Sequence, residues 1–127
     1  ADELLNTVNI DIQMPKQLYN KNFNICVILG NLVDNAIREA SKSTEKYLSI
    51  NVRVKKDILF ILVENSYIGT IVKEENKFKT SQKDTSIHGI GLESVKQVVA
   101  KCGGDIKIEY TENRFWVQVL LYLSNLI

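Results

Sequence analysis

A chain of 127 residues, 45% hydrophobic and 24% charged with one proline and six glycines, suffices for one hydrophobic core but not two, and its composition excludes a disordered or collagen-like segment. The 16 basic and 15 acidic residues, scattered to a formal charge of +1, exclude the basic stripe that marks a nucleic-acid or membrane-surface partner. No apolar run reaches the roughly 20 residues that span a bilayer, the start Ala1-Asp2-Glu3 is acidic where a signal peptide is basic, and Cys26 and Cys102 sit in apolar helical patterns without metal spacing, as buried free thiols do.

In chain order, Val8, Ile10, Ile12 and Met14 alternate with polar neighbours as far as Pro15, the pattern of a half-buried strand. From Asn24 to Ser41, Ile25, Val27, Ile28, Leu29, Leu32, Val33, Ala36, Ile37 and Ala40 recur at helical spacing. Asn24 is the N-cap candidate and Ser41 to Thr44 the polar exit. Leu48, Ile50, Val52 and Val54 then alternate, Lys55-Lys56-Asp57 turns, and Ile58 to Val63 is nearly all apolar, which reads as an antiparallel hairpin.

About twenty residues between Ser66 and Ile87, rich in Lys, Glu, Asp, Ser and Thr, carry little periodicity, a length of connection that tends to be a functional lid. Gly89-Ile90-Gly91 opens a second helix with Leu92, Val95, Val98, Val99 and Cys102 facing inward, and Gly103-Gly104 ends it. Ile106, Ile108 and Tyr110, a turn over Thr111 to Arg114, and Phe115, Val117, Val119 and Leu121 form a last hairpin. This order predicts one domain over 1–127, a two-layer α/β sandwich with a mixed, largely antiparallel sheet.

Three groups of residues carry candidate chemistry. At about 100° per residue, Asn31, Asn35 and Arg38 fall on one helix face with Asp34 at its edge, a stripe expected to turn away from the core. A carboxamide oxygen suits Mg²⁺ that keeps waters and is shared with phosphates, and Arg bonds phosphate oxygens with charge assistance. Two Asn residues inside a well-made helix invite a reason, since Asn is a poor helix former; the plain alternative is a solvated face. His88-Gly89-Ile90-Gly91-Leu92 has the glycines and the helix N-terminus that suit an anion, and it is equally a tight turn. Glu64-Asn65-Ser66-Tyr67-Ile68-Gly69 closes an apolar strand, where Asn65 can read the edge of a base or simply enter a turn.

Together and in this order, the three pieces resemble the ATP-binding fold shared by DNA gyrase, sensor histidine kinases and MutL, the GHKL or Bergerat fold. Asn31 to Ala36 looks like its N box, which implies Asn35 as Mg²⁺ ligand, Asn31 ordering the metal or the γ-phosphate, and Arg38 on the phosphates. Gly89-Ile90-Gly91-Leu92 matches the second glycine box. Glu64 to Gly69 falls at the first, with Asn65 in place of its Asp and Tyr67 in place of a Gly. The stretch from Phe78 to Asp84 leading into His88 is similar to the peptide-pheromone-sensing, Agr-type histidine kinases.

The resemblance implies a cofactor set of ATP and Mg²⁺, with Asn31, Asn35 and Arg38 in the catalytic positions. Asn65, Gly69 and the second glycine box would hold the nucleotide, and Lys79 and Lys83 are further phosphate contacts. His88 is expected to touch the nucleotide loop and not to accept phosphate, because the family's acceptor histidine lies on a separate dimerisation domain. The implied partners are that domain of the same protein and a response regulator, in a membrane-anchored homodimer with this domain in the cytoplasm. Ala1, with no initiator Met, reads as the start of a fragment, one that binds ATP without phosphorylating itself. Asn31, where gyrase-like ATPases carry a Glu base, implies slow hydrolysis. The alternatives are an anti-sigma-factor serine kinase of the same fold and a nucleotide-blind interaction domain.

Overall fold

The computed structural model describes residues 5–16, 18, 22–68 and 92–126, and among them lie a five-stranded sheet and the two helices that pack on it. Strand β1 is Thr7–Gln13, helix α1 Phe23–Lys42, β2 Tyr47–Lys55, β3 Ile58–Ser66, β4 Asp105–Tyr110 and β5 Arg114–Tyr122; helix α2 is described over 92–101. The sheet runs in the order β1-β2-β3-β5-β4. β1 pairs parallel with β2, which makes β1-α1-β2 a crossover unit, and the other pairs are antiparallel. The mixed, largely antiparallel two-layer sandwich is thus the observed architecture.

Why α1 begins where it does is a matter of one side chain. Asn22, in extended backbone, accepts from Ile25 N at 3.1 Å through Oδ1 and so caps the helix, while its Nδ2 donates to Leu126 O at 2.9 Å. Asn22 and not Asn24 is therefore the N-cap, and the same residue ties the start of the helix to the end of the chain. At its other end Ser43 caps: Ser43 N and Ser43 Oγ both donate to Ala40 O. The two-residue turn at Lys56-Asp57 holds Lys56 at a φ of 58°, and the final 3-10 turn, Leu123–Asn125, closes over it through Leu123 N to Asp57 O at 2.8 Å.

The core lies between the sheet's inner face and the two helices. Leu48, Ile50 and Val52 of β2 and Phe115, Val117, Val119 and Leu121 of β5 are all buried, in the alternation the sequence predicts, and Leu59, Ile61 and Val63 of β3 are the buried members of its nearly continuous apolar run. Ile25, Ile28, Leu29, Leu32 and Ala36 of α1 and Leu92, Val95, Val99 and Cys102 of α2 meet them. Each fully buried aliphatic side chain contributes roughly 1.5–3 kcal/mol relative to exposure. Neither cysteine is in a disulfide; Cys102 is buried as expected, whereas Cys26 is only half-buried.

One departure from the sequence reading lies at the edge of the sheet. α1 packs on β3 and, to a lesser extent, on β2, so the row Val8, Ile10 and Ile12, expected to be half-buried, lies open at 47, 59 and 50% exposure. The helix sits one strand too far in to cover it. On the opposite face Arg114 forms ion pairs with Glu45 and, at 2.7 Å, with Glu64, and stacks 4.0 Å from the Tyr47 ring centroid; its hydrogen bonds hold the Glu45 carboxyl below the usual carboxylate range.

α2 ends as Gly103-Gly104 predicts. Gly103 takes a φ of 73°, and Gly104 N donates to Val99 O at 2.9 Å, the helix-ending turn that favours glycine. At Gly104 an added Cβ would lie 2.3 Å from Leu120 O, a backbone atom that no rotamer change can move away. Gly104→Ala should therefore destabilise the domain by about 1–3 kcal/mol, read as a lower urea midpoint; an unchanged midpoint would refute the close packing of this turn on β5.

Candidate functional site

The polar residues of α1 step outward from the edge of its buried arc. Along the helix, Ile28, Leu32 and Asn35 share the inner border; Asn35 is 2% exposed, Asn31 half-buried, and Asp34 and Arg38 exposed. The expectation that the whole stripe turns away from the core is corrected at Asn35. Some 40° of rotation separates Asn35 from Asn31, enough to carry the former under the sheet-facing side.

The amides are held in definite senses. Asn31 Nδ2 donates to Val27 O at 3.0 Å, which leaves its Oδ1 as the group turned to any ligand. Asn35 Oδ1 accepts from Arg38 Nη2 at 3.4 Å, a long bond that a better partner displaces readily, and among the described residues its Nδ2 has no acceptor. Two carboxamide oxygens and one guanidinium therefore sit within two helical turns, a donor set that fits a hydrated Mg²⁺ shared with phosphate oxygens. Among the described residues no group of three or more His, Cys, Asp or Glu side chains forms a metal site, and what those residues offer an ion on this face is the neutral oxygens of Asn31 and Asn35.

Asn65 extends the inward series Leu59, Ile61 and Val63 of β3 and is 2% exposed. Its Nδ2 donates to Ser66 O at 2.9 Å; among the described residues its Oδ1 has no donor. Tyr67, two residues on, is not part of an open glycine turn. It is 5% exposed, its ring lies 5.6 Å from that of Phe115, and its hydroxyl donates to Thr111 O at 2.7 Å. Burial, reinforced by nearby Tyr110, pushes its phenol up to about 12.

Sequence reasoning missed the device that joins the two halves. Ser43 Oγ and Ser66 Oγ, both buried, lie 2.7 Å apart. With the Ser43 hydrogen committed to Ala40 O, Ser66 donates to Ser43 and accepts from Tyr47 N at 2.8 Å; Ser43 accepts from Lys46 N at 3.1 Å. The C-cap of α1 is thereby fastened to the residue next to Asn65. The only signal in the sequence is that Glu64-Asn65-Ser66 closes an apolar run with three polar residues.

Of the other candidates, Leu92 is a core side chain, 5% exposed. Gly69, Lys79, Lys83, His88, Gly89, Ile90 and Gly91 lie outside the described residues, as does most of the expected lid.

Comparison with known proteins adds three findings. A family model described as the GHKL domain matches residues 21–122. A probable C4-dicarboxylate sensor kinase of Halalkalibacterium halodurans is 29% identical over 90 residues, 67% of this chain; the match spans only 17% of that protein. Among solved structures, the histidine kinase domain of the Erythrobacter litoralis blue-light activated histidine kinase superposes with a TM-score of 0.66 at 16% identity, over 94% of this chain and 56% of that one. The Acinetobacter baumannii histidine kinase AdeS does so with a TM-score of 0.59 at 17% identity, over 92% and 54%. At these identities the solved structures establish the shared fold.

Two outcomes test the local account. Ser66→Ala leaves Tyr47 N and Ser43 without their buried partner and should lower stability by about 1–3 kcal/mol, read by urea unfolding; a loss below a few tenths would show that the hydroxyl pair does not fasten α1 to β3. For Tyr67, a folded pKa above the unfolded value means that its contribution is complete below pH 10 and is lost as pH rises from there towards about 12. Thermal melts across that window should fall less steeply for Tyr67→Phe than for the native chain, and equal slopes would contradict the buried phenol.

Proposed function

The chain belongs to the GHKL domain family, and from that premise we propose that it is the catalytic domain of a sensor histidine kinase, which binds Mg-ATP and presents the γ-phosphate to a histidine on a separate dimerisation domain. One observation carries the reading: two amides, Asn35 on α1 and Asn65 at the end of β3, are buried in the layer between helix and sheet with polar atoms unmatched among the described residues. Such a group left buried without a partner costs about 1–3 kcal/mol. A bound nucleotide would supply the donor that Asn65 Oδ1 lacks and, in its phosphate oxygens, an acceptor for Asn35 Nδ2, while its metal ion would replace the long Arg38 bond at Asn35 Oδ1.

In this reading Asn65 Oδ1 would accept from the base, and Asn35 Oδ1, now in a long bond to Arg38, would hold the metal. Asn31 Oδ1, its amide nitrogen anchored to Val27 O, orders the metal's waters or the γ-phosphate. Arg38, freed at the exposed edge, neutralises phosphate charge. Lys79, Lys83 and the turn Gly89 to Leu92 would complete the phosphate contacts, the turn through its N–H groups, while Gly69 would hold the nucleotide with Asn65 and His88 would touch the nucleotide loop. A Mg²⁺ ion held there through Asn35 would supply charge neutralisation to the phosphates. No general base stands among Asn31, Asn35 and Arg38 to activate water, which favours presenting the phosphate over hydrolysing it.

The same proposal extends to the finer assignments: an Agr-type kinase or close relative, its partners the dimerisation domain and a response regulator, the whole protein a membrane-anchored homodimer with this domain in the cytoplasm. No helix among the described residues is long and apolar enough to cross a membrane. Calorimetric titration with ATP tests the core of the proposal. Binding should require Mg²⁺, and Asn35→Ala should weaken it at least about tenfold, 1.4 kcal/mol, with the melting temperature of the apo domain little changed. No heat at millimolar Mg-ATP would leave a nucleotide-blind interaction domain as the better account.

A further inference from the structure

β1 is the end strand of the sheet, and among the described residues nothing pairs with its outer edge. All seven of its residues are exposed. On the helix side, Ile10 and Ile12 floor an open groove of about 560 Å³ whose wall is Leu29, Gly30 and Val33 of α1; a Cβ added at Gly30 would meet nothing within 4 Å. The opposite edge is guarded differently. β4 carries Asp105, Lys107 and Glu109 along one face, the charged lining that discourages edge-to-edge pairing. β1 has a single charge, Asp11, already paired with Arg53 of β2 at 2.9 Å.

We propose that a second copy of this chain pairs with β1 antiparallel about a two-fold axis through Ile10, joining two sheets into one of ten strands. The seven-residue strand is self-complementary about its middle. Such an axis sets Ile10 opposite Ile10 of the other copy, Val8 opposite Ile12, Asn9 opposite Asp11 and Thr7 opposite Gln13. Apolar side chains then meet apolar ones on the helix side, and the lone carboxylate meets an amide on the outer side. An axis through Asp11 would set two carboxylates against each other, which is destabilising, and an axis through Asn9 or Asp11 would shorten the overlap. The pairing also satisfies the free backbone groups of the edge and reduces the water exposure of a row that α1 does not cover. A single strand pair lies below the area of a standard stable interface, so the dimer forms reversibly and at high concentration.

Sedimentation velocity of the native 127-residue chain from about 10 μM to about 1 mM should show a concentration-dependent rise from monomer to dimer. Ile10→Lys, which sets like charges across the axis at an already exposed position, should raise the dissociation constant at least about tenfold without altering the melting temperature. Register is read by oxidation: Ile10→Cys should give a disulfide-linked dimer above the native background of Cys26 and Cys102, because residues directly opposite stand within disulfide reach. Val8→Cys should not, because its own counterpart lies about 13 Å away along the strand. A monomer throughout the range, or equal cross-linking of the two cysteine variants, would overturn the proposal.

Discussion

The packing of α1 across β3 is the contact on which the rest of the domain depends. It buries Ile25, Ile28, Leu29, Leu32 and Ala36 against Leu59, Ile61 and Val63, and this hydrophobic term is what holds a polar site in a domain of this size. The same packing carries Asn35 under the helix and Asn65 along the strand into one layer. Neither amide would be tolerated there for its own sake, since each leaves polar atoms unmatched among the described residues. The Ser43 and Ser66 hydroxyls close the layer at its end, so that the helix cannot slide along the strand without breaking buried hydrogen bonds. Rigidity of this kind is what a site that works by positioning requires.

The reach of α1 also sets what the fold leaves open. Lying over β3 and β2, it secures the two central strands and abandons β1 as an exposed parallel edge. A helix placed one strand further out would have covered Val8, Ile10 and Ile12 but moved Asn35 away from Asn65. The open edge and the polar layer are therefore consequences of one placement.

Most of the fold was legible because both periodicities are strong. Inward alternation in β2 and β5, the nearly unbroken apolar run of β3 and the helical spacing of α1 and α2 gave the right elements in the right order. What failed did so for particular reasons. Asn24 looked like the cap because it precedes the apolar series, whereas Asn22 is chosen by its extended backbone and by the tie to Leu126 O. β1 has the alternation of a half-buried strand, but alternation states which side is apolar and not whether anything covers it. The stripe of Asn31, Asn35 and Arg38 was found by spacing, yet a helical wheel places Asn35 only relative to its neighbours and cannot say how far the buried arc extends. Tyr67 reads in sequence as damage to a glycine box; in the structure it is a core side chain with its hydroxyl satisfied by Thr111 O. The Ser43 and Ser66 pair joins residues 23 positions apart, beyond any local pattern.

The central claim is that the buried amides are the ligand-facing part of the molecule. Side-chain NH₂ resonances of the asparagines, followed by NMR as Mg-ADP is added, test it most directly. The account predicts that Asn35 and Asn65 shift together and saturate at one nucleotide per chain, while Asn9 and Asn51 on the open sheet face stay in place. Saturation with Asn35 and Asn65 unmoved, and with the shifts gathered elsewhere on the surface, would contradict it.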